Sequence, residues 1–166
     1  MANLEPATFG AGCFWGVEAA FRQMKGVVAT SVGYMGGSFE HPSYLDVLSR
    51  ITGHAEVCQV EYDPTIVSYD ELLHLFWNIH DPTSLNRQGA DRGEQYRSVI
   101  FYHTPEQATI ARHSKAELDR SGQYDKPIVT QIQPASQYWL ATADHQQYLE
   151  KKQAAANLTS ESANGE

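Results

Sequence analysis

Residues 7–26, ATFGAGCFWGVEAAFRQMKG, carry the reading of the fold. Ala7 to Gly10 reads as the end of a short strand. Phe14, Val17, Phe21 and Met24 recur at helical spacing and mark the buried stripe of a helix from about Phe14 to Met24, which Gly26 ends. Gly12 and Cys13 stand between strand and helix. Further along, Val27–Tyr34 reads as a strand closed by Gly36-Gly37, and Tyr44–Arg50 as a short element. His54–Tyr62 alternates as a strand should and is stopped by Asp63-Pro64. Ser68 and Glu71 form a capping box that opens a helix through Ile79. Residues 81–94 make a long polar loop, and loops of that length without structure of their own are often functional. Gln95–Tyr102 is a strand, and Thr104, Pro105 and Gln107 start a helix that ends near Gly122. Ile128–Ile132 is a short strand and Thr142–Lys152 a helix. Residues 1–152 are expected to form a single domain. The polar, small-residue-rich tail, 153–166, is expected to be disordered. Several connections are too short for a series of parallel crossovers, which favours a two-layer α+β sandwich over a doubly wound sheet.

Composition excludes some functions. The net charge is -8 and no run of Lys or Arg concentrates positive charge, so a nucleic-acid or anionic-membrane partner is disfavoured. No apolar run approaches the ~18 residues of a membrane span. The N-terminus, MANLEPATFG, has neither a basic start nor an apolar signal core, which predicts a cytoplasmic protein. The two cysteines, Cys13 and Cys58, are too few for a disulfide scaffold, a CxxC pair or a four-ligand zinc site. The histidines make no HxxxH pair, so no metal is expected.

Cys13, in GAGCFWG, lies where free backbone N–H groups and the positive end of a helix dipole converge. Both favour thiolate, and a helix N-terminus is expected to lower the pKa from the free value of ~8.5. The alternative is a Cys packed in a tight turn. Phe14 and Trp15 set two aromatic rings beside the sulfur. Glu56 shares a strand face with His54, Cys58, Val60 and Tyr62, whereas Glu61 lies on the more polar face with Ala55, Val57 and Gln59. Glu56 is therefore the carboxylate expected to be buried, with a raised pKa suited to an acid at neutral pH, unless a salt bridge or a sheet edge holds it. Asp91 and Tyr96, in or after the polar loop, can be site residues or loop-stabilising ones, and Tyr44 a site residue or a core aromatic.

The motifs resemble one family. GCFWG at 12–16 resembles the signature of A-type peptide methionine sulfoxide reductases. GYMGG at 33–37, Pro42-Ser43-Tyr44, TGHAEV at 52–57 with YDP at 62–64, HDPTSLNRQGADRGEQYRS at 80–98 and HQQYL at 145–149 are similar to further segments of it, so the resemblance spans roughly residues 7–150. It implies a two-layer α+β fold with a ferredoxin-like core and a mixed sheet. It implies reduction of the S epimer of methionine sulfoxide, free or in proteins; no cofactor is expected, and the chain is expected to be a monomer. Carried over residue by residue, Cys13 is the nucleophile and Glu56 the acid at the sulfoxide oxygen. Tyr44 and Tyr96 hydrogen-bond that oxygen, Phe14 and Trp15 hold the methyl group, and Asp91 lines the site, with Gln88 and Gly89 shaping the loop. A sulfoxide sulfur is weakly electrophilic, so this set of thiol, acid and donors is what the reaction demands. The products are methionine and a Cys13 sulfenic acid.

The chain departs from the family pattern at His41, Leu48, Cys58 and Glu94, and in residues 138–144. Leu48 stands where many members have a cysteine, Cys58 stands where Val is usual, and no cysteine follows Cys58. An external thiol, glutathione with glutaredoxin or else thioredoxin, is therefore expected to regenerate Cys13, with Cys58 a core residue; the alternative is that Cys58 resolves the sulfenic acid. Two rival readings exist. A cysteine hydrolase would need His54 as a base, and a binding module would not need the thiol.

Overall fold

The computed structural model describes residues 3–164, and the side chains of the last helix as far as Leu158. The chain runs β1 (Glu5–Ala11), α1 (Phe14–Arg22), β2 (Val27–Met35), α2 (Tyr44–Leu48), β3 (Ala55–Tyr62), α3 (Tyr69–Asn78), β4 (Arg87–Gln88), β5 (Asp91–Arg92), β6 (Ser98–Tyr102), α4 (Pro105–Arg120), β7 (Gln131–Pro134), β8 (Trp139–Leu140) and α5 (Tyr148–Asn164). Short 3-10 turns cover Glu94–Tyr96 and Ala143–His145.

One mixed sheet has the order β7-β6-β1-β3-β2-β8, and β4 and β5 form a separate ribbon. Within it β6, β1, β3 and β2 pair antiparallel with one another. α1 carries the chain from β1 to β2, and α3 lies between β3 and β6. This is the ferredoxin-like core that the resemblance implies. β7 extends it parallel to β6, and β8 closes the other edge antiparallel to β2.

The helices cover one face of the sheet. Phe14, Val17 and Phe21 of α1 are buried there with Phe9, Cys58, Val60, Leu72, Leu73 and Phe76. Phe9 stacks on Phe21 at 5.1 Å and meets Phe76 at 5.3 Å between ring centres. Each such ring withdrawn from water contributes ~1.5–3 kcal/mol. The other face is not uniformly polar. Ala55 and Val57 are fully buried with Met35, Val99 and Phe101 beneath Ala135 and Tyr138, and Glu61 is exposed as expected.

The structure shifts several expected elements. Residues 94–96 turn as a 3-10 helix, so β6 starts at Ser98 and not at Gln95. The expected strand Ile128–Ile132 pairs with β6 only from Gln131 on. The N–H groups of Ile128 and Val129 are already used by Asp119 Oδ1 and the Pro82 carbonyl. The expected helix Thr142–Lys152 is broken. Gln146 reaches back with its amide to the backbone of Val32, Gln147 takes a positive φ of 49°, and α5 begins at Tyr148. α5 then continues to Asn164, so most of the tail expected to be disordered is helical, with exposed side chains as far as Leu158.

Candidate active site

β1 ends at Ala11, and α1 begins at Phe14 with Cys13 as its N-cap residue. Gly12 makes the turn with φ 97°, and a Cβ there would meet Gln88 at 3.0 Å, so conformation and space both call for glycine. The helix N-terminus does act on Cys13: the N–H groups of Trp15 and Gly16 favour the thiolate. Burial outweighs them, with help from Glu56 and Asp91, and the thiol is pushed up to about 11. The expectation of a depressed pKa is therefore corrected. The resting group is a thiol, because desolvating the anion costs more than two N–H groups return.

Glu56 sits on β3, 1% exposed. Its Oε1 accepts from the Phe14 N–H at 3.2 Å, and its buried Oε2 has no hydrogen-bond partner among the described residues. Burial pushes its carboxyl up to about 7, against the Phe14 N–H and with the charge of Asp91. At neutral pH the group is about half protonated, the condition in which an acid transfers protons most effectively.

Three further loops converge on this pair. Ser43 caps α2, its Oγ accepting from Asp46 N–H at 3.1 Å, and so holds Tyr44 in the first turn. The Tyr44 ring lies 6.4 Å from Phe14 and 6.3 Å from Trp15. Tyr96, on the 3-10 turn before β6, is buried. Burial first, then the Glu56 charge, raises both phenol pKa values, so both remain hydrogen-bond donors. Asp91, on β5 and exposed, acts electrostatically on Cys13, Glu56, Tyr44 and Tyr96. All seven residues singled out from the sequence thus gather at one end of the sheet. A thiol, a carboxyl near its midpoint and two phenols beside an aromatic wall can protonate an oxygen while a sulfur attacks its neighbour.

A family model described as peptide methionine sulfoxide reductase matches residues 5–165. The chain belongs to the peptide methionine sulfoxide reductase family. The peptide methionine sulfoxide reductase MsrA 1 of Nostoc sp. is 68% identical over 151 residues, 91% of this chain and 93% of that one. The solved structure of methionine sulfoxide reductase A of Corynebacterium diphtheriae is similar with a TM-score of 0.79 at 40% identity, covering 89% of this chain and 74% of that one. Mxr1 from Saccharomyces cerevisiae in complex with Trx2 gives a TM-score of 0.59 at 27% identity, covering 87% and 84%. As a member of this family the chain is an oxidoreductase that reduces methionine sulfoxide, a protein-repair reaction of oxidative stress.

The reductase site contains residues that sequence reasoning passed over. Trp15 Nε1–H donates to His145 Nδ1 at 3.0 Å, and Tyr148 stacks on the Trp15 ring at 3.8 Å. His145 belongs to no HxxxH pair, yet it is buried, its ring 4.4 Å from that of Tyr44. The signal was present in HQQYL, which sets His145 and Tyr148 three apart. Buried Glu18 holds this segment in place, accepting from Thr30 Oγ1 at 2.7 Å and from Gln147 N–H at 2.7 Å. Tyr34 was also missed. It faces Glu56 in register across β2 and β3, is 1% exposed, and its hydroxyl has no partner among the described residues.

His54 cannot serve as a base for Cys13. Its Nδ1 accepts from Gly37 N–H at 3.0 Å and its Nε2 donates to the Phe39 carbonyl at 2.7 Å. Cys58 is fully buried, in register with Phe9 and Val32, and burial pushes its thiol far up. Among the described residues, no helix is long and apolar enough to cross a membrane.

Proposed function

We propose that this reductase takes the S epimer of methionine sulfoxide, free or in proteins, between Cys13, Glu56, Tyr44 and Tyr96, with the methyl group against Phe14 and Trp15 and with Asp91 on the rim. The observation that carries the reading is Glu56: a buried carboxyl with a pKa of about 7, bonded through Oε1 to the backbone beside Cys13 and with Oε2 unengaged. The phenols of Tyr44 and Tyr96 donate to the sulfoxide oxygen and Glu56 protonates it. The Cys13 sulfur bonds to the sulfoxide sulfur as its own proton passes to the Glu56 carboxylate. The S–O bond then breaks and the hydroxyl ends on Cys13, giving methionine and a sulfenic acid. Two electrons pass from the thiol sulfur to the sulfoxide sulfur. Fixed donors aimed at an oxygen that gains charge stabilise such a transition state more than most other devices an enzyme has.

An external thiol attacks the sulfenic sulfur, water leaves, and a mixed disulfide forms; a second thiol releases Cys13 and the oxidised donor. Glutathione with glutaredoxin fits the absence of a cysteine after Cys58, and a thioredoxin is the other donor class, in keeping with the Trx2 complex of Mxr1. On this reading residues 1–152 are one monomeric catalytic domain acting in the cytoplasm. The test is a single turnover without reductant. One methionine and one lost thiol per chain are expected in the wild type, and no methionine from Cys13→Ser. Methionine formed by that variant refutes the mechanism.

A further inference from the structure

The loop that carries Asp91 has a second face. In the ribbon, Arg87 pairs with Arg92 and Gln88 with Asp91. Side chains alternate along a strand, so Gln88 and Asp91 share one face and Arg87 and Arg92 the other. The first face belongs to the active site: Gln88 lies against Gly12, and Asp91 acts on Cys13 and Glu56. The second, with Arg50, Leu85, Asn86, Gly93 and Glu94, lines a surface pocket of about 490 Å³. Three of the 12 Lys and Arg side chains thus meet in one place on a chain of net charge -8.

The three arginines are not neutralised. Among the described residues, none has a carboxylate within ion-pair reach. Arg50 Nη2 donates to the Arg92 carbonyl at 2.7 Å and Arg87 Nε to the Gly89 carbonyl at 2.8 Å, which leaves most guanidinium donors facing outward. The backbone around them is held in the left-handed region, with φ 66° at Arg50 and 50° at Asn86. Non-glycine residues rarely adopt it, and such strain persists where surrounding structure enforces it, as at ligand clamps. Gly93, at φ 138°, has no Cβ; one placed there would meet the Gln95 amide first and then Arg50 Nε at 2.9 Å, so glycine leaves room for both side chains at the ribbon.

We infer that this pocket binds the carboxylates of the reducing thiol, a small anionic peptide thiol of the glutathione class, and so delivers its sulfur to Cys13. The inference rests on the reading that an external thiol reduces the Cys13 sulfenic acid. Such a tripeptide carries two carboxylates and one ammonium at neutral pH. The guanidinium forks of Arg50, Arg87 and Arg92 match carboxylates. Glu94 on the same wall matches the ammonium. The sulfur sits on the central residue, roughly 7 Å from a terminal carboxylate held on the arginine face, more than the ~5 Å between the paired strands of the ribbon, so it reaches around the ribbon towards Cys13. The chemistry balances: the peptide thiol bonds to the sulfenic sulfur, its proton leaves with the hydroxyl as water, and a second thiol releases Cys13 and the peptide disulfide.

The test is steady-state kinetics of the full chain at saturating methionine sulfoxide, with glutathione, glutathione diethyl ester or dithiothreitol as the varied reductant. Arg87→Gln/Arg92→Gln is expected to raise KM for glutathione by on the order of 10-fold or more, since a hydrogen bond to a charged group contributes about that much. KM for the diester and for dithiothreitol should hold, with circular dichroism confirming an intact fold. An unchanged KM for glutathione, or an equal loss with all three reductants, overturns the pocket. So does a loss that appears only with acidic-flanked methionine sulfoxide peptides reduced by dithiothreitol, which would assign the arginines to the peptide. Wild-type turnover with dithiothreitol but not with glutathione also overturns the pocket and leaves the reductase mechanism standing. Failure of the single turnover sinks the mechanism itself.

Discussion

Replacing Glu56 with Gln should stabilise the protein, and by an amount that grows with pH. In the folded state the carboxyl titrates at about 7, against an ordinary value of 4.5, chiefly because burial disfavours its charge. Below about pH 4.5 both folded and unfolded chains hold the proton, and Glu56 adds no pH dependence. Between 4.5 and about 7 the unfolded chain releases the proton and the folded chain keeps it, so stability falls as pH rises. Above about 7 the loss levels off, because both states are then ionised. The gap between the two values, at 1.36 kcal/mol per pH unit, corresponds to about 3 kcal/mol. A Gln amide has nearly the same shape, can still accept from the Phe14 N–H, and does not titrate. The stability of Glu56→Gln relative to wild type should therefore rise by about 3 kcal/mol between pH 4 and pH 8.5, or roughly 6–12 °C in Tm for a chain of this size. Thermal and urea unfolding of both proteins across that range measures it, and the comparison cancels every group outside the reach of the Glu56 charge. Curves that stay parallel would refute the account of Glu56 as a carboxyl held neutral by burial. The same variant should lose ~10²- to 10⁴-fold in turnover, the usual worth of a general acid. Greater stability together with lower activity is the signature of a group kept for chemistry.

Tyr44→Phe/Tyr96→Phe should lower kcat more than either single change, because each phenol stays protonated and the second can serve the oxygen when the first is gone; wild-type kinetics in the double variant would remove them from the site. Cys58→Ser should leave turnover with an external thiol unchanged while costing ~1–3 kcal/mol of stability, as a hydroxyl enters the core without an assured partner. Mass spectrometry of the wild type after oxidation by substrate should find no Cys13–Cys58 disulfide, since Cys58 is fixed in a central strand and a bridge needs Cβ atoms within ~3.5–4.5 Å. Finding that disulfide would make Cys58 the resolving cysteine.

Much of the scaffold around Cys13 was legible in the chain because its signals are local. The apolar stripe of α1, the capping box at Ser68, the Thr104 cap and the alternation of β3 each depend on residues a few positions apart. The alternation also places Glu56 on one face with Cys58 and Val60, although Ala55 and Val57 are buried on the other face as well. β8 and the β4–β5 ribbon were not legible, because two residues are too few to show a period. The break at Gln146–Gln147 was hidden as well, since helical propensity is overridden there by bonds to Val32 and Glu18, more than a hundred residues away.

The sequence by itself determined the identities that chemistry needs: a thiol at the start of a helix, one carboxyl on an apolar strand face, two phenols and two aromatic rings. Only the tertiary structure decided their electrical state and their company. Desolvation is a sum over everything packed around a group, so the Cys13 thiol rises to about 11 although its local turn favours the thiolate. For the same reason no window of sequence could show His145 accepting from Trp15 across 130 positions, or Arg50 joining Arg87 and Arg92 in a chain without a basic run. Local pattern is written along the backbone, whereas burial and the meeting of distant side chains exist only once the chain has closed on itself.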